Sequence, residues 1–279
     1  MRLFEASLAF YLYCYTLCEL LRGLIAVFCP KERTLLRELL LEGVGTLQQC
    51  APMFDVGPVL EEYGLSGVFV QITLLECVNA YLFRDAIAQP CPLITSYARG
   101  KRVWRRLLAI LAVQFTAATL ASRVAWAFWR FGIHPKHTEL VTTDGCTSDL
   151  TVAIWIGCAV EGAAVFVAKA WEKVADEKWG PDADTRLTTF VNALFSALLC
   201  VLGINLTGLY ANPIVAWACT FRCEGVSHFG HLLVYWLAPI AAWYLGELCF
   251  GQSDDDDDGD AAATADEENK KEKLAKKVN

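Results

Sequence analysis

Seven stretches of about 20 mostly apolar residues, the length a helix needs to cross a bilayer, fill most of this 279-residue chain. They run over 3–29, 34–54, 65–83, 103–131, 150–170, 187–206 and 229–250. Two further semi-apolar pieces, 86–97 and 212–220, are too short to span, and each holds a proline near its start. The pattern predicts an all-α membrane protein embedded in a lipid bilayer. The first stretch carries Glu5, Glu19 and Arg22 and has no small-residue cleavage site, so it does not read as a signal peptide. It either spans the membrane or lies along its surface.

Composition supports this reading once it is divided. The chain is 55% hydrophobic with a net charge of −7. Ten of its 31 acidic residues lie after Ser253, including the run Asp254 to Asp258. Without that tail the body is nearly neutral and has no basic face of the kind nucleic acid requires. The tail, 253–279, is predicted to be disordered. The basic groups Arg99 to Arg106 and Lys169 to Arg186 belong on the cytosolic side, and the Lys/Arg-poor loops 55–64, 132–149 and 222–228 on the opposite, lumenal side.

The body is duplicated. Glu42 and Glu161 each sit near the start of an apolar stretch, with Gly43, Gly45, Gly157 and Gly162 beside them to permit close helix contact. Gln89-Pro90 follows the first glutamate and Asn212-Pro213 the second at nearly equal distances. Each half therefore holds three spans and one short amide–proline piece. Three is odd, so the second copy inserts upside down, the plan of many transporters and channels. Proline in the first turn of a helix loses no hydrogen bond, and an amide before it can cap the helix. Two such half-helices would aim their positive ends at one midplane site. The predicted parts are 1–32, an extra apolar helix; 33–132, the first repeat; 133–148, a lumenal loop; 149–252, the second repeat; and 253–279, the tail.

These residues resemble the aquaporin (major intrinsic protein) family over about 34–250. The paired Asn-Pro-Ala boxes of that family correspond to Gln89-Pro90-Cys91 and Asn212-Pro213-Ile214, and its buried loop-supporting glutamates to Glu42 and Glu161. Val113-Gln114, Thr207-Gly208 and the string Tyr235 to Pro239 also match. The degenerate first box with Cys91, the later Cys223 and the extra N-terminal stretch resemble the unorthodox, eleven/twelve-type subfamily. The resemblance implies six spans with two half-helices, and a passive channel that commonly forms a homotetramer and needs no cofactor or metal. A non-conducting protein that keeps the fold for a structural or organelle role is the alternative.

Counting from the boxes, the resemblance places the selectivity constriction at Phe69, Cys200, Leu209 and Val215. Water-selective members have arginine where Val215 stands, so a wide, rather apolar pore is expected, passing water slowly and small neutral solutes such as glycerol or hydrogen peroxide. Cys223 shares the lumenal side with Cys146; a free thiol packed beside the pore mouth is preferred over a disulfide in an oxidising lumen. Glu76 and Gln71 are read as facing the bundle. His134, His137, His228 and His231 are read as surface loop residues, and no catalytic set is expected. Lys276 and Lys277 stand fourth and third from the end, which resembles a dilysine signal read by coat-protein retrieval machinery. The endoplasmic reticulum membrane is therefore the expected location, with the plasma membrane or another vesicle as the alternative.

Overall fold

A computed structural model describes residues 1–29, 34–84, 86–98, 104–143, 145–179 and 185–251. Lys276 and Lys277 lie outside the described residues. The first elements are α1 (Leu3–Phe28), α2 (Thr34–Cys50), a 3₁₀ turn (Pro52–Asp55), α3 (Val56–Leu82), α4 (Pro90–Ala98) and α5 (Trp104–Trp129). Then come α6 (Pro135–Thr142), α7 (Ile154–Trp179), α8 (Thr185–Thr207), α9 (Pro213–Thr220), α10 (His228–Leu232), a π-helical turn (Leu233–Leu237) and α11 (Ala238–Phe250). Among the described residues there is no strand, only an isolated bridge between Thr147 and Glu224. Among the described residues, six helical stretches are long and apolar enough to cross a membrane. The second, 35–82, covers α2, the turn and α3, and its 48 residues are long enough for two crossings of about 20 residues each.

The fold is all-α and aquaporin-like. α2 packs on α5 and α7 on α11, equivalent pairs in the two halves, while α3 packs on α8 across them. Each half-helix leans on the last span of the opposite half, α4 on α11 and α9 on α5. Small residues permit the close approach: Ala117, Ala118, Ala121 and Ala125 form a buried stripe along α5. Outward faces carry lipid-facing aliphatics such as Leu12, Leu24, Leu202 and Leu248.

Several expected boundaries shift. The second apolar stretch does not run on as a helix to residue 54: α2 stops at Cys50, and Pro52, which lacks a backbone N–H, heads the 3₁₀ turn. The expected open loop 55–64 is largely helical, broken at Gly64, whose φ of 64° suits glycine. α7 continues to Trp179 into what was expected to be a connection. The last span widens into its π turn just before Pro239, which cannot donate to the helical ladder.

α1 crosses the bundle rather than lying on a surface. Its contacts ascend in step with those of α3: the Phe4 amide donates to Tyr63, Gln71 donates to Tyr11, Tyr15 donates to the Leu75 carbonyl and to Asn79, and Arg84 pairs with Glu19. The two helices therefore run parallel over the same depth. The seam also buries Phe10, Cys14 and Cys18.

Two of the four histidines overturn the surface reading. His137 on α6 is 1% exposed, stacks on Trp129 at 5.3 Å, and its Nε2 lies 2.6 Å from Asp55 Oδ1. Tyr11 donates to the other Asp55 oxygen at 2.6 Å. His231 is fully buried beside Thr220 and the Ala216 carbonyl. Both sites were illegible as core because a histidine three residues from another, in a polar stretch, carries no burial signal.

Candidate functional site

The two short helices begin with proline at their first position, Pro90 and Pro213. Asn212 caps the second, its Oδ1 accepting from the Ile214 amide at 3.1 Å. Before each proline the chain doubles back through an alanine in the left-handed region, Ala88 at φ 48° and Ala211 at φ 49°. That conformation costs an alanine about 1–2 kcal/mol. It persists because both alanines are held from two sides.

Ala88 gives its N–H to Glu42 at 2.8 Å, and its carbonyl accepts from Asn212 Nδ2 at 2.9 Å. Ala211 gives its N–H to Glu161 at 2.8 Å, and its carbonyl accepts from Gln89 Nε2 at 3.3 Å. The same four-part arrangement thus occurs twice, and each half supplies the amide that secures the other. Glu42 also accepts from the Ile87 amide and from Gln114, and Glu161 from the Tyr210 amide and from Thr207. Both are buried, and their oxygens are met by several donors, as a buried carboxylate requires.

Gln89 and Asn212 border a cavity of about 260 Å³. Each amide nitrogen carries two hydrogens and has one bonded within the protein, leaving one donor for a passing molecule. Three expected constriction residues, Cys200, Leu209 and Val215, border the same cavity. Leu209 is itself in the left-handed region at φ 39°. Phe69 instead packs with Val59, Val68 and Ile72, and Ile72 and Met53 face the cavity. Cys91 and Ile214 are fully buried just behind the prolines and pack the half-helices into the bundle.

Sequence reasoning passed over Ala88, Ala211 and Gln49. The two alanines stand one residue before Gln89 and Asn212, so the repeat offset itself could have marked them. Gln49 and Glu76 both line the cavity, which corrects the reading of Glu76 as a residue merely facing its neighbours. Gln71 does face the bundle, bonded to Tyr11 at 2.8 Å. Cys146 and Cys223 are joined as a disulfide, against the preferred free-thiol reading. The backbone bridge at Thr147 and Glu224 brings their strands of chain together, a proximity across 77 residues that spacing could not reveal. Among the described residues no cluster of His, Cys, Asp or Glu could hold a metal ion.

No protein-family profile matches the chain. Pairwise, a Caenorhabditis elegans protein provisionally named aquaporin-10 is 29% identical over 221 residues, 77% of this chain and 75% of that protein. Aquaporin-11 of Milnesium tardigradum is 22% identical over 84% of this chain and 82% of its own length. Aquaporin-12 of Mus musculus is 24% identical over 88% and 84%. The chain is a relative of the unorthodox aquaporins. In this aquaporin relative the glutamates, the two tips and the crossed amides all fall inside a fold of the expected kind, and the family likeness supports a membrane channel for water or small solutes.

Proposed function

We propose that this aquaporin relative is a passive channel for water and small neutral solutes, glycerol and hydrogen peroxide among them, in an intracellular membrane. The observation that carries the reading is the pair of crossed tips, each leaving one amide donor on a shared cavity. The half-helix ends are positive and disfavour cations at the same place. Val215 adds no charge there, so neutral molecules are the suited cargo. The reading involves no chemical step. A homotetramer in the bilayer is the assembly proposed by likeness.

Swelling and solute uptake by proteoliposomes holding the full chain test it. Flux of water, glycerol or hydrogen peroxide above that of empty vesicles is expected. No excess for any of the three sinks the reading and leaves the non-conducting structural role.

For location, the proposal is the endoplasmic reticulum. The Cys146–Cys223 disulfide suits a lumenal face. Arg105, Arg106, Lys169 and Lys173 suit the cytosolic one. Lys276 and Lys277 would be the address read by retrieval coats. Changing both lysines to serine should release the protein to the cell surface; an unmoved distribution refutes the signal.

A further inference from the structure

We propose that Glu76 selects the solute in this pore: its carboxylate, beside Gln49 on the cavity wall, accepts hydrogen bonds from the hydroxyl or amino groups of the molecule in the cavity. The proposal rests on the channel reading above and names the group that would recognise the cargo. Of the residues lining the cavity, Glu76 is the one with a formal negative charge, and no Lys, Arg or His is among them. Among the described residues no ion pair engages it. An ionisable group at membrane depth is costly, and such a residue points first to a functional site.

The surroundings hold Gln49, the neighbour of Glu76 on the cavity wall, in place. Tyr15 on α1 donates to Asn79 Oδ1 at 3.2 Å, as does Gln48 at 3.0 Å. Asn79 in turn donates to Gln49 Oε1 at 2.8 Å. With its oxygen so occupied, Gln49 keeps its amide nitrogen for donation, and it lines the same cavity as Glu76. A carboxylate has about four acceptor positions, which gives Glu76 acceptor capacity for a solute. Gln89 Oε1, on the same cavity, is buried with no partner and is a second vacant acceptor. The remaining lining includes Ala164, Ala168 and Leu199, which suit the carbon side of a small polyol or amide. The cavity therefore matches a molecule with several donors on a short carbon frame better than it matches water alone.

The test measures glycerol and water permeability in the same proteoliposomes holding the full chain. Glu76→Leu should lower the glycerol-to-water ratio by about tenfold, the effect of losing one hydrogen bond to a charged acceptor. Glu76→Gln, which keeps the shape and one acceptor oxygen, should fall between leucine and wild type. Gln49→Leu should shift the ratio in the same direction. A merely structural role would lower both fluxes together and leave the ratio fixed. If the leucine variant does not fold, the glutamine variant decides. A ratio within twofold of wild type in every folded variant overturns the role of Glu76 while the channel stands. Wild-type vesicles that pass neither solute overturn both.

Discussion

Replacing Asp55 by alanine should release α1 from the bundle while the crossed tips stay in place. Asp55 is fully buried and accepts from Tyr11 Oη at 2.6 Å and lies 2.6 Å from His137 Nε2. It therefore binds three segments that are far apart in sequence: α1, the turn after α2, and α6. Removing Asp55 leaves Tyr11 and His137 without their buried acceptor, at about 1–3 kcal/mol each. At about 1.4 kcal/mol per tenfold, 4 kcal/mol raises the open population roughly a thousandfold. The reporters are built in. Cys14 and Cys18 are each 1% exposed on the α1 seam, whereas Cys91 is buried in α4, away from α1. In Asp55→Ala, maleimide labelling of Cys14 and Cys18 in proteoliposomes should accelerate by about two to three orders of magnitude, with Cys91 unchanged. Tyr11→Phe should give a smaller effect, about 1.5–3 kcal/mol. Labelling of Cys14 and Cys18 within threefold of wild type in Asp55→Ala would refute the reasoning. Equal acceleration at Cys91 would show global unfolding instead.

Three further outcomes follow from the same geometry. Glu161→Ala strips an acceptor from Thr207 and from the Tyr210 and Ala211 amides. At about 1–3 kcal/mol for each orphaned donor it should abolish a monodisperse elution profile, and an unaltered profile would count against the tip scheme. Cys146→Ser should lower thermal stability by about 2–5 kcal/mol, since the bond closes a loop of 77 residues. Reductant should lower the melting temperature of wild type and leave the variant unmoved. A Cβ on Gly203 would meet Leu209, with its Cβ at 3.0 Å. Gly203→Ala should therefore push Leu209 into the cavity and cut flux severalfold, at an overpacking cost of about 1–3 kcal/mol. Leu209→Ala in the same chain should restore it, and failure of that rescue would uncouple the two positions.

The sequence by itself determined the spans, the doubling and the two tips. The reason is that bilayer thickness and backbone chemistry write themselves locally, as run length and as an amide before a proline. The role of Glu42 and Glu161 was suggested by the family resemblance and not by any local pattern; in the structure they accept from the amides at 87–88 and 210–211. What only the tertiary structure decided depends on which faces meet. Whether 3–28 spans was settled by its ascending contacts with α3, since an apolar helix with three charges suits both a crossing and a surface. The burial of His137 required Asp55, which lies 82 residues earlier in the chain. The disulfide required two loops to be bridged by backbone hydrogen bonds. Glu76 looked like any polar residue on a helix, and its place on the cavity follows from the rotation of α3 against α8. Helix rotation is set by the sum of packing contacts with partners far away in sequence, and no local pattern holds that sum.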